Sequence, residues 1–194
     1  MDINYELSPG RKLKKLEFED NNKTIVSIIT PYYNGEKYIE ETANSVLNQT
    51  FPYFEWIIVD DDSPNKEAQE KLKQIEKMDK RIKVFHKENG GPALARDFAV
   101  KQASKESEYL LFLDADDLLC NTYIECAYIT LKTHPEASWT YTDTINFDGQ
   151  EFLWRKWYSP KKELEENLLV MTAMIKKEDF LSVNGFEKKK KNIY

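Results

Sequence analysis

Between residues 24 and 137 the chain alternates short unbroken apolar runs with longer stretches whose apolar residues recur every three or four positions. Thr24-Ile25-Val26-Ser27-Ile28-Ile29-Thr30 is the first run, and apolar, β-branched runs of this length predict buried strands. Pro31 is expected to end it, and Asn34-Gly35 supplies a turn. Ile39, Ala43, Val46 and Leu47 then share one face of a helix. Glu55–Asp60 predicts a second strand, followed by a helix from about Asn65 with Ala68, Leu72, Ile75 and Met78 on one side. Arg81–His86 predicts a third. Asn89-Gly90-Gly91-Pro92 opens a helix carrying Ala95, Phe98, Ala99 and Ala103, and proline suits a first helical turn. Tyr109–Asp114 predicts a fourth strand. The next helix, capped by Asn121, turns Ile124, Ala127, Tyr128 and Leu131 inward, with Pro135 just past its end.

Strands alternating with helices imply an α/β fold of nucleotide-binding type, a mostly parallel central sheet flanked by helices. After Ala137 the rhythm changes. Ser138–Phe147 predicts one long strand and Asp148-Gly149 a turn; Phe152, Trp154, Trp157 and Tyr158 form an aromatic cluster. Ser159-Pro160 starts another helix, Met171–Ile175 is a short strand, and Lys177–Val183 a short helix with Gly185 beyond it. Residues 1–22 are polar and aperiodic and are expected to form an arm. Residues 23–194 are expected to form one domain, with a nucleotide-binding half over 23–118 and an acceptor-side half over 119–194. A chain of 194 residues supports one core but not two comfortable ones.

Charge narrows the partners. The formal net charge of -6 argues against nucleic acid, which needs a basic face. It leaves room for a nucleotide, because a divalent cation can bridge carboxylates to phosphates. Cys120 and Cys126 fit no zinc or redox spacing and read as free thiols of a reducing compartment. The N-terminus is no signal peptide, and no apolar run reaches the about 18–20 residues of a membrane span. A cytoplasmic location is expected, compatible with peripheral association at the inner face of a membrane.

In open α/β sheets, ligands bind outside the carboxyl ends of the strands. There the first strand leads into Pro31-Tyr32-Tyr33-Asn34, the second into Asp60-Asp61-Asp62-Ser63 and the fourth into Asp114-Ala115-Asp116-Asp117. Two clusters of three carboxylates on one edge repel each other unless a cation or hydrogen-bond donors compensate them. Oxygen-rich sites suit magnesium or manganese shared with substrate phosphates. Neither Gly-x-Gly-x-x-Gly nor a P-loop motif is present, so side chains and metal must hold the nucleotide. His86 and His134 have no partner at metal-ligand spacing and read as structural or exposed.

The segments 26–34 (VSIITPYYN), 45–50 (SVLNQT), 56–63 (WIIVDDDS), 89–97 (NGGPALARD) and 112–117 (FLDADD), in this order and spacing, resemble family 2 glycosyltransferases of the GT-A fold. The resemblance implies roles. Pro31 and Tyr33 would line the nucleobase pocket, and Asp60 would hydrogen-bond the base, typically uracil. Arg96 would reach the base or the diphosphate. Asp114, with Ala115 beside it, would contact the ribose or the metal, and Asp116 would coordinate Mn2+ or Mg2+ against the diphosphate. Asp61 and Asp62 would support their loop, where the family usually has Gly at the position of Asp62. Asp143 stands where the family often places an acid facing the acceptor; Trp154 and Trp157 either stack on a sugar or fill core.

The implied reaction inverts the anomeric carbon of a nucleotide-diphospho-sugar, a UDP-sugar by preference, on a glycan or lipid-linked acceptor. The family's base follows a Gly-Phe-Asp/Glu stretch, which Asn184-Gly185-Phe186-Glu187 resembles. The base is therefore expected beyond Tyr194, in a segment this chain would lack, and Glu187 is a poor substitute. The competing reading is a nucleotide-sugar-binding module without catalysis. A nucleotidyltransferase on a similar sheet is disfavoured, because Pro31-Tyr32-Tyr33-Asn34 is not a Gly-rich, Arg-containing loop.

Overall fold

Every strand in the first half of the chain carries apolar residues on both faces, which is the pattern of a sheet covered on both sides. In the computed structural model, which describes residues 23–147, 152–154, 158–163, 165 and 170–186, that sheet has six strands. The elements are β1 (Val26–Tyr32), α1 (Ile39–Leu47), β2 (Phe54–Asp60), α2 (Lys66–Glu76), β3 (Ile82–His86), α3 (Pro92–Gln102), β4 (Tyr109–Phe112) and α4 (Tyr123–Thr133). There follow β5 (Trp139–Thr140), β6 (Thr144–Asn146), β7 (Phe152–Trp154), α5 (Pro160–Glu163), β8 (Ala173–Lys176) and α6 (Lys177–Ser182). The strand order is β3-β2-β1-β4-β8-β5. β1 to β4 are parallel; β8 runs antiparallel to both β4 and β5, and β6 pairs with β7 in a separate ribbon.

Successive side chains of a strand go to opposite faces. Ile28, Trp56, Ile58 and Leu111 join the core under α1, α2 and α4, whereas Ile29, Ile57, Val59, Leu110 and Phe112 join the core under α3 and α6. Trp56 is fully buried, and its Nε1 donates to Thr30 Oγ1 at 2.8 Å, so its one polar atom is satisfied.

Three expectations change. Pro31 does not end β1. Ile29 O accepts from Leu113 N and Tyr32 O from Asp61 N, so alternation points the nitrogen of Pro31 toward β4, where pairing has already stopped at Ile29–Phe112. The single strand over Ser138–Phe147 is broken into β5 and β6, with Tyr141–Asp143 irregular between them. Finally, α4 starts behind Thr122 with no side-chain cap of its own; Asn121 instead lends its carbonyl to Thr50 N at 2.8 Å.

Candidate active site

The parallel strands β1, β2 and β4 deliver their following loops to one end of the sheet, around a cleft of about 500 Å³. Pro31, Tyr33, Arg96, Asp114, Ala115 and Asp116, all expected at the site, line this cleft together. Tyr33 is 53% exposed, so it is no core residue. Asp61, Asn89, Gly91 and Tyr38 line it as well.

Asp60 does not line the cleft. It is 2% exposed; Oδ1 accepts from Ser63 N at 3.1 Å and Ser63 Oγ at 2.5 Å, and Oδ2 lies 3.0 Å from His86 Nδ1. Asp60 thus closes its own turn, and the residue that reaches the cleft is its neighbour. Asp61 accepts from Lys87 Nζ at 2.5 Å, Gly90 N at 3.1 Å and Gly91 N at 2.7 Å. It fastens the start of α3 to the end of β2. Asp62, at φ 65, occupies the left-handed region that glycine favours and aspartate tolerates.

The loop after β4 carries the remaining acids, and α1 holds it. Thr42 Oγ1 donates to Ala115 O at 2.9 Å, and Leu119 N donates to Ser45 Oγ at 3.2 Å. Gln49 Nε2 donates to Ser45 O and Cys120 O at 3.0 and 2.8 Å, while its Oε1 accepts from Ile124 N at 3.1 Å. Gln49, just past the end of α1, therefore supplies the cap that α4 lacks. Ser45 and Gln49 fall in the segment 45–50 that carries the resemblance, but sequence reasoning gave no role to them or to Thr42. For Thr42 and Ser45 the available signal was their spacing of three positions on the predicted helix, a polar stripe beside the apolar face.

Within the loop, Asp114 pairs with Arg96 Nη2. Asp116 is exposed to the cleft, and among the described residues no hydrogen bond or ion pair engages it. Burial holds the Asp117 carboxyl above the ordinary carboxylate range; the hydrogen bond from Thr172 Oγ1 at 2.9 Å opposes that rise, and the charges of Asp114 and Asp116 add to it. Among the described residues no three His, Cys, Asp or Glu side chains form a ready metal cage. Two carboxylates on one loop nevertheless fit a cation that completes its shell with substrate phosphates and water.

Asp143 lies apart from this cleft, in a neighbouring one of about 440 Å³ that it shares with Asp117, Glu41 and Thr172. Trp154 ends β7 opposite Thr144; its side chain, Trp157 and Glu187 lie outside the described residues. Cys120 and Cys126 are exposed free thiols. No helix among the described residues is long and apolar enough to cross a membrane.

Comparison with known proteins agrees with this geometry. The chain is 48% identical over 98 residues to TuaG of Bacillus subtilis (strain 168), assigned as a glycosyltransferase of teichuronic acid biosynthesis, covering 50% of this chain and 38% of that protein. The crystal structure of Staphylococcus aureus TarS 1-349 in complex with UDP-GlcNAc superposes with a TM-score of 0.66 at 26% identity, over 82% of this chain and 47% of the other. The mannosyltransferase PcManGT from Pyrobaculum calidifontis, solved with GDP-Man and Mn2+, shares the fold with a TM-score of 0.63 at 18% identity, over 85% and 48%. The chain spans less than half the length of these proteins. Residues 27–181, which hold all of the sheet but Val26 and every residue of the cleft, match Glycosyl transferase family 2, and the chain belongs to that family.

Proposed function

We propose that this chain is the donor-binding part of a metal-dependent transferase that moves a sugar from a nucleoside diphosphate to a glycan or lipid-linked acceptor. The observation that carries the reading is the convergence of Asp114, Asp116 and Arg96 on one cleft with Pro31 and Tyr33. The exposed ring of Tyr33 offers a stacking face for a base. Arg96 offers a guanidinium for phosphate oxygens. Asp114 and Asp116 would hold Mn2+ or Mg2+, which neutralises the departing diphosphate when bound. Uridine is the proposed nucleoside, supported by the TarS complexes with UDP and UDP-GlcNAc. Inversion at the anomeric carbon and a cell-surface polysaccharide product are parts of the same proposal, the latter drawn from TuaG and TarS. The free thiols suit a reducing cytoplasm, where a lipid-linked acceptor would be met at the membrane face.

Calorimetric titration with UDP, GDP, CDP and ADP, each with manganese and with a chelator, tests the reading. Manganese-dependent binding of UDP is expected. Asp116→Ala should abolish it with an unchanged melting temperature, because Asp116 is exposed and makes no contact that the fold needs. Binding of UDP that is indifferent to both manganese and Asp116→Ala would sink the proposal.

A further inference from the structure

Arg96 is an oddly placed cation. It is 6% exposed, and among the described residues its polar contact is the Nη2 bond to Asp114 Oδ1. Its Nε is buried and, among the described residues, has no hydrogen-bond partner. A buried donor left unpaired carries a desolvation penalty, so this arrangement is not the best one open to the guanidinium.

The residue is held in place from behind. Its guanidinium carbon lies 5.9 Å from the ring centre of Phe186, which packs against Phe112 and Phe180 at 5.3 and 5.4 Å between ring centres. The backbone N–H of Phe186 donates to Asp97 Oδ1 at 3.0 Å. Gly185, at φ 78, approaches so closely that a Cβ there would lie 2.6 Å from the same oxygen. Asp97 therefore fastens the turn after α6 to α3, and that turn sets Phe186 as the floor under Arg96. Neither Asp97 nor Phe186 lines the cleft, so both act as positioning residues.

The charges decide what this seat is for. Asp114 has two claims on it, as the partner of Arg96 and as a metal donor beside Asp116. A bare divalent cation arriving at Asp114 meets a guanidinium on the same carboxylate, and like charges so close repel. A diphosphate resolves the conflict, since it brings negative charge for the cation and planar acceptors that match the guanidinium. We propose that Arg96, seated by Asp97 and Phe186, is the resident counter-ion of Asp114, and that the cleft therefore takes its cation as a metal–nucleoside-diphosphate complex and not as the free ion. This inference rests on the reading of Asp114 and Asp116 as the metal donors.

Manganese binding in the absence of nucleotide tests it, followed by calorimetry and by loss of the paramagnetic resonance signal of the free ion. Arg96→Met, which keeps volume and removes charge, should tighten bare manganese binding by about tenfold. The same variant should weaken manganese–UDP binding. Arg96→Gln, which keeps a donor toward Asp114, provides a second variant if the first does not fold. Manganese affinity at or below that of the parent in both, with parental melting curves, overturns the counter-ion role. Asp116→Asn separates the two levels. If manganese–UDP binding survives it, the donor assignment is wrong and the counter-ion proposal falls too. If that binding is lost while the Arg96 variants gain nothing, the counter-ion proposal alone falls.

Discussion

Gln49→Ala is the substitution whose cost follows most directly from the structure. Gln49 is buried, at 8% exposure, and serves three backbone groups. Two of them keep other options. Cys120 O also accepts from Tyr123 N at 3.0 Å, and Ser45 O sits in the last turn of α1. Ile124 N has none. It is the N–H of a fully buried residue in the first turn of a helix with no cap of its own, and its side-chain acceptor is Gln49 Oε1. Leaving such a donor unpaired costs about 1–3 kcal/mol, and each lost bond that can be partly replaced adds about 0.5–1. The expected loss is therefore about 2–5 kcal/mol, which lowers the melting temperature of a chain this size by roughly 4–20 °C. The adjacent exposed Asn48 is the control, and Asn48→Ala should stay within about 0.5 kcal/mol of the parent. Differential scanning calorimetry and urea unfolding measure both. If Gln49→Ala melts within about 2 °C of the parent, α4 is capped by something else and the role given to Gln49 is wrong. Because α1 also holds Ala115 and Leu119, the variant should in addition weaken manganese–UDP binding under conditions where it remains folded.

Other substitutions test single contacts. Gly185→Ala should cost more than Gly91→Ala: both glycines have positive φ, but a Cβ at Gly185 meets Asp97 Oδ1 at 2.6 Å and one at Gly91 meets nothing within 4 Å. Urea midpoints for the pair, expected to differ by about 1–2 kcal/mol, check this, and equal midpoints would refute it. Asp117→Asn should stabilise the metal-free chain by about 0.5–1 kcal/mol, since it relieves a desolvated carboxylate beside two others while leaving an acceptor for Thr172; a lower melting temperature would contradict it. Glu55, 3% exposed, is pushed up by burial, but hydrogen bonds from Lys83, Ser27 and Ser104 outweigh that and hold its carboxyl below the ordinary range. A depressed folded value means stability that is present above the unfolded pKa and lost as pH falls through the folded one. Unfolding free energy should therefore decline from about pH 4.5 downward, and less steeply in Glu55→Gln; identical slopes would refute the assignment.

What the sequence disclosed, and what it hid, divides along the range of the interactions involved. Strands and helices through Thr133 were readable because periods of two and of three to four are local properties. Asp114 and Asp116 were readable because the end of β4 carries them, whereas Arg96, inside α3, was named through the resemblance. Asp60 was named through the resemblance; in the structure its carboxylate is engaged by Ser63 and His86 while Asp61 lines the cleft, and partners of that kind are not announced by local pattern. Gln49 lies 71 and 75 positions from its partners Cys120 and Ile124, and nothing local to either segment announces that pairing. Ser138–Phe147 is rich in β-formers, but β8 offers β5 only two paired positions, so the run could not remain one strand.

The acidic edge also proves less uniform than its composition implies. Six carboxylates at two strand ends invite the inference that a cation must hold them together. Most are compensated individually: Asp60 by Ser63 and His86, Asp61 by Lys87 and two glycine amides, Asp114 by Arg96 and Asp117 by Thr172. Asp62 points to solvent away from the cleft lining. Among the described residues, Asp116 is thus the one cleft carboxylate without a partner. A carboxylate shared with Arg96 beside one that is free makes a poor cage for a bare ion and a good second half for a site whose first half arrives with the phosphates. The fold does not need metal to neutralise this edge, so metal removal should leave its stability nearly untouched while removing its affinity for nucleotide.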